Sequence, residues 1–291
     1  MAALKRTSLA AFATLPLLFC PGKAAVADGL ANQIPSCYKA NQIQPLGPLY
    51  DKLFVVMIDQ TVMLDAPLQK QVLQSIETMI QPGTRYVIGE FSAFSQGHYL
   101  NIVASGIAEA PIPASQIGNI PIDEVDPFNK CMSDQLNFAR LSAEKSAYIA
   151  MQAATSSLDQ SDILLAMKDI STPIRDETAV KKVMLAVTDG LENSTVTSFY
   201  GHGTARNINP AAEMRKVESA NMTGDFGGAK IYVLGGAAEP PATSGTKAAR
   251  DGYRDPQMLM HLQDFWNSYF RASDASLVEF GTPALVMRIE Y

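Results

Sequence analysis

Two apolar runs, each ending in an aspartate, constrain this chain most. Phe54-Val55-Val56-Met57-Ile58 leads into Asp59, with Thr61 two residues on. Val183-Met184-Leu185-Ala186-Val187 leads into Thr188-Asp189-Gly190. Unbroken apolar runs of this length suit strands buried on both faces, the habit of parallel sheets covered by helices. In open α/β sheets, ligands gather beyond the carboxyl ends of such strands, where the connections change direction. The expectation is an α/β, Rossmann-like fold. Its sheet would be open, mostly parallel and twisted, with helices on both faces and an antiparallel edge strand.

The spacing of the other residues fills in that frame. Leu64, Leu68, Val72, Ile76 and Ile80 recur every four residues and predict a helix over 65–81, capped by Asp65 with Pro67 in its first turn. Strands are expected over 84–91 and 99–107. The link between them is too short for a helical crossover, so they form a hairpin. Pro111, Pro113, Pro121 and Pro127 predict a loop or small insertion at about 109–127. Helices follow over 133–156 and from 161 to before Pro173. Next come a strand over 182–189, a polar loop over 191–210, a helix over 211–220 and a strand over 230–234. A Gly/Pro-rich loop over 235–256, a helix over 257–271 and strands over 277–280 and 284–291 complete the chain.

The first residues read as a secretory signal peptide over 1–27. Lys5 and Arg6 precede an apolar stretch, and Ala25-Val26-Ala27 forms a small-x-small cleavage site. The apolar stretch is too short to span a bilayer, and no later stretch is long enough. A lipidated Cys20 is a second reading, disfavoured by the bulky Phe19 before it. Export implies a periplasmic protein in a bacterium and a secreted one elsewhere. The net charge is −6, and the leader takes Lys5, Arg6 and Lys23 with it and no acid. An acidic chain without a basic run is a poor nucleic-acid binder. Cleavage leaves Cys37 and Cys131. In an oxidising compartment these suggest one disulfide tying a polar arm, 28–52, to the domain over 53–291. Two unpaired thiols are the other reading.

The layout resembles the von Willebrand factor type A domain. That family has an apolar strand ending in Asp-x-Ser-x-Ser, a Thr at a later helix start and a strand ending in Asp-Gly. Together these form a metal-ion-dependent adhesion site. Here Asp59-Gln60-Thr61-Val62-Met63 stands at the first position, Gln160-Ser161-Asp162 at the second and Thr188-Asp189-Gly190 at the third. The resemblance implies Mg²⁺ or Mn²⁺ touched by Thr61 and Ser161. Asp59 and Asp189 would act through water or hydrogen bonds, and a protein partner's acidic side chain would complete the shell. Mg²⁺ wants about six oxygen ligands. Met63 replaces the second Ser of the pattern, and a thioether suits that ion badly. Each residue also has a plainer role: Asp59, Thr61 and Ser161 as caps, Asp189-Gly190 as a turn.

Three functions follow. One is an exported, non-enzymatic protein-binding module for adhesion or envelope assembly. Its partner-contact loop would include Gly201, His202 and Gly203. The second is a structural subunit with a silent metal site. The third is a Mg²⁺-dependent phosphohydrolase resembling the haloacid-dehalogenase pattern, which wants a second Asp where Thr61 stands. His98, His202 and His261 lack metal-ligand spacing, so zinc is not expected.

Overall fold

The computed structural model describes residues 30–92, 100–155, 160–201, 204–238 and 255–291. The signal peptide expected over 1–27 lies outside these residues, as do His98, His202 and Gly203. Six strands form one sheet: β1 (Lys52–Asp59), β2 (Thr84–Phe91), β3 (Asn101–Ala108), β4 (Lys181–Val187), β7 (Ala229–Leu234) and β8 (Ala275–Phe280). Between β4 and β7, the two-residue strands β5 (Tyr200–Gly201) and β6 (Thr204–Ala205) make a separate small ladder. The sheet order is β3-β2-β1-β4-β7-β8. All neighbours are parallel except β2 with β3, which are antiparallel. This is the α/β, mostly parallel, Rossmann-like sheet with an antiparallel edge strand that the apolar runs predict.

Alternation along β1 builds two cores. Leu53, Val55 and Met57 face one side, where they join residues of α4 (Ile163–Asp176), α5 (Pro210–Ser219) and α6 (Pro256–Ala272). Phe54, Val56 and Ile58 face the other side and join α2 (Ala66–Met79) and α3 (Ile122–Ala153). Successive strand side chains point to opposite faces, so a run apolar at every position requires cover on both. Helix α2 begins as its sequence indicates. Asp65 accepts from the Leu68 amide at 3.0 Å, and Pro67 sits in the first turn.

The arm is docked rather than free. Gln33 N–H donates to the Ser105 carbonyl, and the Ile107 amide donates to Asn32 Oδ1, each at 3.0 Å. These bonds cover the outer edge of β3, which would otherwise invite pairing with another chain. A short helix, α1 (Cys37–Ala40), buries Cys37 and Tyr38. Cys37 is joined to Cys131 on α3 by a disulfide. Tyr38 stacks edge-on against Phe128 beside it.

Three expectations fail. The stretch 109–127 is not all loop. A 3₁₀ helix spans Ala114–Asn119, and α3 starts at Ile122, well before the predicted 133. Pro121 holds the N-cap, and Asp123 and Glu124 in the first turn complement the helix dipole, so Pro127 in the second turn does not stop it. Helix α4 runs through Pro173 to Asp176, because Ile170 and Ile174 on either side are core residues. Residues 284–291 form no strand. Leu285 and Ile289, four residues apart, are buried against the α2 side of the sheet instead. Gln71 of α2 holds Leu285 by both its amide and its carbonyl, at 3.1 and 2.8 Å.

Candidate metal-binding site

From β1 the chain goes to β2 on one side, and from β4 to β7 on the other. The carboxyl ends of β1 and β4 therefore flank the switch point where α/β folds bind ligands. The parallel register pairs Ile58 with Val187, which sets Asp59 beside Thr188.

Asp59 is the hub. Only 1% of it is exposed. One carboxylate oxygen accepts from the Thr61 amide at 2.9 Å and from the Thr61 hydroxyl at 2.6 Å. The other accepts from the Ser161 hydroxyl at 3.1 Å and the Thr188 hydroxyl at 2.8 Å. Residues from three separate segments thus meet on one carboxylate. Burial pushes the Asp59 carboxyl above the usual range, and hydrogen bonds from Thr61, Thr188 and Ser161 oppose that shift.

Each neighbour is held in turn. Ser161 lies just before α4, not within it, and exchanges two backbone hydrogen bonds with Asn193 at 3.1 and 3.0 Å. The next amide, of Asp162, donates to the Ser92 carbonyl beyond β2. Thr188 accepts from the Gly190 amide at 3.1 Å while donating to Asp59. Asp189 caps its own turn by accepting from the Leu191 amide at 2.9 Å, and the side chain of Tyr200 hydrogen-bonds to it. Desolvation, then the charge of Asp59, raises the Asp189 carboxyl well above its ordinary value. Gly190 has φ +72°, and its carbonyl accepts from Trp266 Nε1 at 2.9 Å. Trp266 is therefore a core residue that also fixes the Asp-Gly turn.

All four residues singled out as metal ligands, Asp59, Thr61, Ser161 and Asp189, lie at this one place. Asp59 bonds directly to Thr61 and Ser161, and its charge reaches Asp189. Thr188 and Tyr200 belong with them and were not singled out. Thr188 was visible as the hydroxyl beside the strand-end Asp. Tyr200 had no signal beyond its place in the loop after β4. Gly201 is the second residue of β5, directly after Tyr200.

The donor set suits a hard cation. Thr61, Ser161 and Thr188 spend their hydroxyl protons on Asp59, which leaves oxygen lone pairs for an ion. Two carboxyls held close in a desolvated place favour a positive charge between them. Among the described residues, no three His, Cys, Asp or Glu side chains cluster, so hydroxyls are essential to any such shell. Met63 stands 41% exposed and contributes only a soft sulfur. His261 is engaged elsewhere, with Asn207 at 2.6 Å.

Glu213, itself buried, gathers a partly exposed ionic cluster that ties the loop after β4 to α5. Glu213 of α5 receives bonds from the Thr197 hydroxyl, Arg206 and Lys216 at 2.6, 2.7 and 2.8 Å. Burial alone would raise this carboxyl, but those three partners outweigh it and hold it below the usual range.

No protein-family model and no curated protein matches the chain. Among solved structures it is similar to an aerotolerance-related membrane protein from Bacteroides fragilis carrying multiple mutations to serines. The identity there is 10%, over 74% of this chain and 87% of that one, with a TM-score of 0.29. It is similar to the SpRpn10 VWA domain at 9% identity, over 81% and 90%, with a TM-score of 0.32. It is also similar to the conserved hypothetical protein BatB from Bacteroides thetaiotaomicron at 12%, over 75% and 87%, with a TM-score of 0.32. Scores this low add nothing to what the strand order establishes. The mostly parallel six-stranded sheet, switching direction between β1 and β4 and ending in the antiparallel β3, is a doubly wound, Rossmann-like architecture.

Proposed function

We propose that the chain is an exported, non-enzymatic binding module that engages a protein partner through the face at the ends of β1 and β4. The observation that carries this reading is the convergence of the Thr61, Ser161 and Thr188 hydroxyls on Asp59, with Asp189 close by. Thr61 and Ser161 would hold Mg²⁺ or Mn²⁺, with Asp59 orienting both hydroxyls and Asp189 adding charge. The ion would supply an open position for an acidic side chain of the partner. Such recognition serves adhesion or envelope assembly. No helix among the described residues is long and apolar enough to cross a membrane.

Two observations weigh against a phosphohydrolase. Asp59 is buried and both its oxygens are occupied by donors, a poor state for a nucleophile. Thr61, at the place where that chemistry wants a second acid, spends its hydroxyl on Asp59. Met63 favours a second reading, a structural subunit whose site holds no metal.

Equilibrium dialysis against Mn²⁺ separates the two. Binding in the millimolar range or tighter, lost in Asp59→Asn and tightened about tenfold in Met63→Ser, supports the adhesion site. One added oxygen ligand accounts for that gain, about 1.4 kcal/mol. No binding by either the natural chain or Met63→Ser contradicts it and leaves the structural reading.

A further inference from the structure

Gln60 stands between Asp59 and Thr61 and is tied away from the site at three points. Its amide donates to the Phe91 carbonyl at the end of β2, at 2.8 Å. Its carbonyl accepts from the Thr155 amide at 2.8 Å. Its side-chain Nε2 donates to the Ala150 carbonyl, also at 2.8 Å. Ala150 lies in the last turn of α3, and Thr155 follows the residue that caps that helix, Ala154.

The last carbonyls of a helix lack partners inside it, and the Ala150 carbonyl is among those of α3. The last turn of α3 carries no basic residue, and Ala154 has no polar side chain to lend. Gln60 supplies a donor from another part of the chain. That donor is neutral, so it satisfies a carbonyl without cancelling the negative end of the helix dipole, which favours a cation nearby. From inside the site, the Asp59 carboxylate takes both the amide and the hydroxyl of Thr61. The turn that presents Thr61 therefore has one anchor within the site and another on the end of α3. Helix ends open locally at far lower cost than the core, so the second anchor is an equilibrium that can be biased.

We propose, taking the Asp59 site as a cation site, that Gln60 is a positioning residue that couples this site to the last turn of α3. Thr61 held against an ion holds Gln60 with it, and Gln60 orders the helix end. Loosening the helix end weakens the ion by the same factor, because coupling between two equilibria is reciprocal.

Mn²⁺ titration and hydrogen exchange of the full chain test it with two substitutions. Gln60→Met keeps the size of the side chain and loses the donor. Ala153→Gly loosens the last turn at an exposed position outside the site. Each is expected to weaken Mn²⁺ binding about tenfold, and the double variant to be little worse than either alone. Without metal, each should speed exchange of the Thr61 amide about tenfold, while the Ile58 and Val187 amides keep their rates. Full additivity of the two substitutions overturns the coupling, as does Thr61 exchange unchanged by both. Equal acceleration at Ile58 and Val187 also overturns it, since that marks a loosened fold. A natural chain that binds no Mn²⁺ contradicts the cation reading instead, and the metal-free exchange then decides the coupling alone.

Discussion

The Thr188 hydroxyl donates to Asp59 Oδ2 across 2.8 Å and joins the ends of two strands 129 residues apart in sequence. The same oxygen of Thr188 accepts from the Gly190 amide, so one side chain ties the strand-end carboxylate to the following turn. Thr188→Val keeps the shape and removes both bonds, leaving a buried carboxylate short of a donor and an amide without an acceptor. The expected cost is about 1–3 kcal/mol in urea unfolding. Thr188→Ser should recover most of it.

Gly190 is a backbone requirement. Its φ is +72°, and a Cβ there would lie 2.8 Å from Trp266 Nε1 and 3.2 Å from Phe280 Cζ. Gly190→Ala combines a disfavoured conformation with a clash against the ring that holds the turn. It should destabilise by about 1–3 kcal/mol and weaken Mn²⁺ binding by shifting Asp189. Trp266→Phe, which loses the bond to the Gly190 carbonyl and part of a buried ring, should also lower stability but should weaken Mn²⁺ binding less than Gly190→Ala, because Gly190 keeps its own conformation.

Glu192 is fully buried, with Oε2 accepting from the Leu164 amide at the start of α4. Burial pushes its carboxyl up to about 8. The folded state therefore holds a proton that the unfolded chain releases near its ordinary value of 4.5. Stability from this group is fully present below about pH 4.5, falls as pH rises, and is gone above about 8. Asp189, also raised, acts in the same direction. Glu192→Gln mimics the neutral acid. Urea midpoints measured from pH 5 to 8.5 should slope downward in the natural chain and less steeply in Glu192→Gln, where Asp189 still contributes, with the variant more stable at the alkaline end.

The disulfide between Cys37 and Cys131 closes a loop spanning 94 residues and holds the arm over the edge of β3. Replacing both cysteines with serine should lower stability by about 2–4 kcal/mol. It should also expose the 41–50 segment to limited proteolysis before the domain body is cut. Non-reducing mass mapping of the natural protein should recover the two cysteine-containing peptides as one species.

Much of this architecture is written in local pattern. β1 and β4 are apolar at every position because both faces are covered, and α2 announces itself through Asp65, Pro67 and its four-residue repeat. Pro127 and Pro173 mark helix ends by propensity, yet Pro127 falls near the start of a helix that begins at Ile122, and core packing of Ile170 and Ile174 carries the other helix through Pro173. Residues 284–291 are apolar enough for a strand, but only Leu285 and Ile289 are buried, against the α2 side of the sheet, and no backbone ladder forms. At the site, the two strand-end aspartates were legible because strand ends place them. Ser161 was legible only through the family resemblance, since its bonds to Asp59 and Asn193 span the chain. Tyr200 was not legible, because nothing local says that a loop aromatic returns to Asp189.

A cation site built on Asp59 is tested by thermal melting of the protein with Mg²⁺, with Mn²⁺ and with a chelator, beside Asp59→Ala and Asp189→Ala. An ion that binds the folded state raises apparent stability by mass action, about 2.7 kcal/mol at a hundredfold excess over Kd. The expected result is a rise of several degrees with millimolar metal in the natural chain and none in either variant. Identical melting with metal and with chelator in the natural chain, or an undiminished rise in both variants, would contradict it.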